Sequence, residues 1–194
     1  LVVIYCFSGG IRASIWTDAA QSFIMIGAMV LLLGAALLEL GGLVELFRQL
    51  REIDPSLLSI TPGSAKFGVL AFLCSWFFAG LGVAGQPHIM IRAMAIDSPE
   101  AIAPARRIYI LWYVVFTTLC ILVGLSSRVL LPDSSFDQEL ALPMLAGQLL
   151  PGLLVGVILA GLFAATMSTA DSQVLSCSAA ISRDLFPDWS RSYL

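Results

Sequence analysis

Two carboxylates stand where hydrocarbon would surround them. Asp171 is the sole charged residue of the stretch 152–182, and Asp18 is the sole charge of the run 13–38. An Asp at mid-membrane costs roughly 2.5 to 3.5 kcal/mol on insertion scales, so a chain that keeps one uses it for an ion, a proton or a structural partner. Asp171 lies in Met167-Ser168-Thr169-Ala170-Asp171-Ser172-Gln173, where Ser168, Asp171 and Ser172 fall at i, i+3 and i+4 and share one helix face. Their hard oxygens suit a small hard cation. Asp18 stands in Ile15-Trp16-Thr17-Asp18-Ala19-Ala20-Gln21, with Gln21 and Ser22 one turn on. It is either a helix-entry acid near headgroup water, favoured by the helix dipole, or an ion-path ligand. If Asp18 and Asp171 meet across packed helices, a shared cation offsets their repulsion, or one of them carries a proton.

Plainer roles stand beside these. The hydroxyls of Ser168 and Thr169 can bond back to the carbonyl one turn earlier. His88, the single histidine, follows Pro87 and reads as a structural group, while Trp76, Phe77 and Phe78 read as lipid-facing or core aromatics. The four cysteines sit one per apolar segment without metal-ligand spacing and read as small buried hydrophobes. No enzymatic motif is present. An intramembrane aspartyl protease carries Tyr-Asp and Gly-x-Gly-Asp around its acids, whereas these acids stand in Thr-Asp and Ala-Asp.

The elements that must position these groups follow from composition. With 59% hydrophobic and 12% charged residues and a mean hydropathy of +0.94, the chain reads as an all-α integral membrane protein. No Lys/Arg run exists to hold nucleic acid or a polybasic lipid site. The reading is a single transmembrane domain fragment over 1–194, with a partial span at 1–8 and spans at about 13–38, 67–91, 106–130 and 152–182. The opening Leu1–Ser8 octet makes it look like an internal piece of a longer chain. The intervening loops, 9–12, 39–66, 92–107 and 128–139, are rich in charge and turn formers, and 140–150 reads as a short amphipathic cap. Arg12, Arg92, Arg106, Arg107, Arg183 and Arg191 put six basic residues on one side against four on the other, which makes the arginine-bearing side cytoplasmic.

Two spans are unusual. Gly80, Gly82, Gly85 and Pro87 crowd the second complete one, predicting a break or unwinding near 80–87, and broken helices are where transporters bind solute and ions. The last span repeats a small residue every fourth position, from Gly152 through Ala164 and Ser172 to Ala180, the small-xxx-small device for close helix approach.

Four collinear motifs carry a resemblance. Gly9 to Gln21, Gly85-Gln86-Pro87-His88-Ile89, Ala105-Arg106-Arg107 and Ala164 to Thr169 together resemble the sodium/solute symporter family, most closely its sodium/proline branch. The resemblance implies part of a LeuT-type inverted-repeat bundle, here the end of core helix four and core helices five to eight, with N-terminal helices of the same chain as missing partners. It implies sodium bound by Ala165, Ser168 and Thr169, and a second sodium site that joins Asp18, Ser168, Asp171 and Ser172. Many relatives carry Ser or another small residue where Asp171 stands. For the solute it implies Ala79, Val83, Gln86 and Pro87. Ala79 and Val83 are small where the proline branch has aromatic side chains. Arg128-Val129-Leu130-Leu131-Pro132-Asp133 is similar to the pantothenate branch, so proline or a similar amino acid stands first, pantothenate or another organic acid second. A sensor built on the same fold is the rival from another class. Sodium, a small-molecule solute and the bilayer are the implied partners, at the plasma membrane.

Overall fold

In the computed structural model, residues 2–59, 68–131 and 137–185 are described, and among them every regular element is helical. Seven α-helices follow in order: α1 (Val2–Leu40), α2 (Leu43–Ile53), α3 (Gly68–Ala84), α4 (Pro87–Met94), α5 (Pro99–Leu130), α6 (Ala141–Leu149) and α7 (Gly152–Ala179). The helical stretches Gly9–Leu40, Pro99–Leu130 and Gly152–Ser182 are long and apolar enough to cross a membrane, and α3 with α4, bent by 58° at the break between them, is so as a pair. Lys66, Pro132, Asp133 and Arg191, which entered the charge count or the pantothenate-like motif, lie outside the described residues.

The segment 9–12 is not an open loop. It is a kink inside α1, where Gly10 takes φ 56°, ψ −150°, a conformation that glycine reaches without a Cβ penalty. At the other end α1 stops on Gly41 at φ 85°, and the Gly42 N–H reaches back to the Leu37 carbonyl at 2.8 Å, a Schellman-type stop. The chain turns straight into α2, which lays Leu46 and Leu50, both fully buried, against Leu40 and the end of α5.

The segment 92–107 is mostly helix as well. Its first residues complete α4, and α5 starts at Pro99, where the missing proline N–H costs nothing because the first helical turn has no partner for it. Only 95–98 connects the two helices.

The core lies between α1, α5, α6 and α7, around Ala28, Leu32, Val123, Leu145 and Ile158. Lipid tails are as apolar as leucine, so close van der Waals fit rather than water exclusion holds such helices together. Along α1 the seam runs Ser14, Asp18, Gln21, Met25, Ala28, Leu32 and Ala36, at steps of three or four. On α7 it runs Ile158, Gly161, Ala164, Ser168, Asp171 and Ser172. The expected row of small residues is only half of that seam: Ala164 and Ser172 are buried, but Gly152, Gly156 and Ala160 are exposed. A strict four-residue step advances about 400° on a 3.6-residue helix, so the row winds off the contact face. A tight approach falls on Gly161 instead, where a Cβ would lie 2.7 Å from that of Ala28.

Helix α3 has no buried residue among those described, and its aromatics pair within the helix, Phe72 with Trp76 and Phe77 with Phe78, edge to face. The helix runs through Gly80 and Gly82. The break sits at Gly85–Gln86, two residues wide, because Pro87 has no N–H to continue the ladder and opens α4 as its first residue.

Candidate cation site

The α1–α7 seam carries its polar groups at one level. The Ser14 hydroxyl donates to Asp171 Oδ2 at 2.9 Å. Ser172 Oγ lies 3.1 Å from Asp171 Oδ1 and 2.8 Å from the Ser168 carbonyl oxygen. Asp171 is wholly buried and Ser14 nearly so. Asp18, one turn along α1 from Ser14, joins through a third element. Arg92, in the last turn of α4, sends its guanidinium between the two carboxylates. Its Nη2 pairs with Asp18 Oδ2, donates to Ser172 Oγ, and lies 3.5 Å from Ser14 Oγ and 3.7 Å from Asp171 Oδ1.

Thus Asp18, Asp171 and Ser172 do meet, and the cation that offsets their charges is an arginine of the same chain. The sequence reading placed Arg92 in a cytoplasmic loop and passed over Ser14. Both had a signal: Ser14 stands at i−4 to Asp18 on the same face, and Arg92 is six residues past the break, within reach of one more helical turn.

The second expected cluster lies one turn earlier on α7. Ser168 Oγ and Thr169 Oγ1 both point to the Ala165 carbonyl, at 3.0 and 3.4 Å. Three hard oxygens therefore gather at this turn, and the hydroxyls keep lone pairs for a cation. Thr169 is exposed while Ser168 is half-buried, so the oxygens open on the side of α7 that α1 leaves uncovered. These are the hard oxygen donors that a small cation such as sodium takes.

Beside the arginine runs a groove of about 610 Å³, lined among others by Asp18, Ser22, Arg92, Tyr109, Trp112 and Ser168. Two of its polar atoms, Asp18 Oδ1 and Trp112 Nε1, are buried without a hydrogen-bond partner among the described residues, as is Gln21 Oε1 nearby in sequence. The solute residues expected from sequence are elsewhere. Ala79, Val83, Gln86 and Pro87 are all exposed at the α3–α4 joint, and none lines this groove.

The profile of the sodium:solute symporter family matches residues 1–193. The chain belongs to the sodium:solute symporter family. Its similarity to symporters of this family runs along nearly all of its length. It is 33% identical to the high-affinity proline transporter PutP of Bacillus subtilis (strain 168), over 96% of this chain and 39% of that protein. It is 32% identical to the osmoregulated proline transporter OpuE of the same strain, over 98% of this chain and 39% of the relative. It is 31% identical to the sodium/proline symporter of Escherichia coli (strain K12), again over 98% and 39%. The chain thus spans about two-fifths of the length of these relatives. No solved structure matches it.

Proposed function

We propose that this chain is the central part of a sodium-coupled symporter of the plasma membrane, which imports proline or a similar amino acid and catalyses no covalent reaction. The observation that carries this reading is the similarity, along 96–98% of the chain, to symporters and transporters named for proline. The oxygen clusters on α7 support the ion half of it. Ala165, Ser168 and Thr169 would hold sodium against core helices of the whole protein, and Asp18, Asp171, Ser168 and Ser172 would form a second cation site. In the inverted-repeat bundle that the resemblance implies, the bent α3–α4 pair faces the solute path with Ala79, Val83, Gln86 and Pro87. The two repeats would alternate access to the two sides. One charge crossing 100 mV supplies about 2.3 kcal/mol to such a cycle.

Uptake of labelled proline by the whole transporter in proteoliposomes, with and without an inward sodium gradient, tests the reading. Accumulation that requires sodium is expected. Sodium-dependent accumulation of pantothenate but not proline would favour the second solute, to whose branch the stretch from Arg128 to Asp133 is similar. Binding of proline without any transport would favour a sensor.

A further inference from the structure

An arginine facing a carboxylate ordinarily engages both oxygens through its two-pronged fork. Arg92 does not. One nitrogen, Nη2, faces four oxygens from two helices, Asp18 Oδ2, Ser14 Oγ, Ser172 Oγ and Asp171 Oδ1, as a point charge would. The second Asp18 oxygen stays buried with no hydrogen-bond partner among the described residues. Carboxylate and hydroxyl oxygens are ligands for a hard cation, and the guanidinium serves this set incompletely. Arg92 also has somewhere to go. Its side chain is 36% exposed and borders the open groove beside Asp18.

We infer that Arg92 is a tethered cation that holds the Asp18–Asp171 oxygens when sodium is absent and must vacate them for sodium to enter. The inference rests on the sodium-coupled reading above, and it makes Arg92 a positioning residue rather than a ligand. The charged and titratable groups that face it are Asp18 from α1, Asp171 from α7 and Tyr109 from α5. Because Arg92 sits in the last turn of α4, its departure would also free that half-helix from α1 and α7, linking ion entry to the bent helix pair that the solute reading uses.

Sodium-22 binding to the purified whole transporter, without solute, tests this directly. A tethered competitor that fills its site nine-tenths of the time weakens apparent affinity about tenfold, so Arg92→Gln should lower the half-saturating sodium concentration by about that factor. Arg92→Lys keeps a charge for folding but has a shorter reach and no planar fork, and should move it the same way by a smaller factor. Arg92→Gln with Asp171→Ser should bring the value back toward wild type. Arg106→Gln, which removes an exposed charge at the adjoining end of α5, should leave it unchanged. Weaker or unaltered sodium binding in both Arg92 variants would overturn the inference and leave Arg92 as a strut for α4. Equal tightening by Arg106→Gln would overturn it too, as a general charge effect. If the wild type binds no sodium, the sodium-coupled reading itself fails, whatever the Arg92 variants do.

Discussion

Ser14 and Asp171, 157 positions apart, are joined by a 2.9 Å hydrogen bond inside the α1–α7 seam, and both are shut off from solvent. A buried carboxylate oxygen that loses its donor costs about 1–3 kcal/mol. Ser14→Ala should therefore lower the unfolding midpoint in detergent. In a double-mutant cycle with Asp171→Ser the two losses should fall short of additive by roughly 0.5 kcal/mol or more. Strict additivity would mean that the two groups contribute independently.

Gly161 and Ala28 bring the same two helices into tight contact. Ala for Gly in a helix ordinarily gains about 1 kcal/mol of helix propensity, whereas overpacking a tight contact costs about 1–3 kcal/mol. Nothing lies within 4 Å of a Cβ at Gly156, but at Gly161 one meets Ala28 at 2.7 Å. Gly156→Ala should leave the protein as stable or more so, and Gly161→Ala should destabilise it. The sign difference between two chemically identical changes is what thermal unfolding should read.

Loss of both hydroxyls at the Ala165 turn, Ser168→Ala with Thr169→Ala, should raise the sodium concentration needed for half-maximal uptake by tenfold or more, about 1.4 kcal/mol. Retained sodium dependence would remove this turn from the ion site. Asp171→Ser alone should retain transport but change the number of cations moved per solute, measured as the shift of the reversal potential with the sodium gradient. Unchanged stoichiometry would reduce Asp171 to a packing partner of Ser14.

Pro87 is the residue that stops the backbone ladder at the break. With Pro87→Ala the helix can run on from α3 into α4, removing a block worth about 3 kcal/mol in a helix interior. Spin labels at the exposed Leu70 and Met94 should then move apart as the 58° bend opens, and uptake should fall. An unchanged distance would place the origin of the bend in the tether of Arg92 to α1 and α7.

What the sequence made legible was governed by local composition. The spans, the glycine- and proline-marked break and the shared face of Ser168, Asp171 and Ser172 all follow from hydropathy and a 3.6-residue period. What it hid was governed by tertiary placement. Arg92 counts as a loop charge in any tally of basic residues, and only the 58° turn of α4 carries it back to Asp18. Gly161 gave no signal, because a contact glycine looks like any other until the partner helix is set against it. The every-fourth-residue row misled for a geometric reason: its step is not the pitch of the helix.

Arg92 is attached to a short arm. It lies six residues beyond Gln86, so at about 1.5 Å per residue the hinge is roughly 9 Å away. A rotation of only ten degrees there carries the arginine's backbone through about 1.6 Å, enough to stretch a hydrogen bond of ordinary length past its useful range unless the side chain follows. Small angular changes at Gly85–Gln86 are thus converted into making or breaking an ion pair, while the exposed α3 on the far side of the hinge can swing without disturbing any charge.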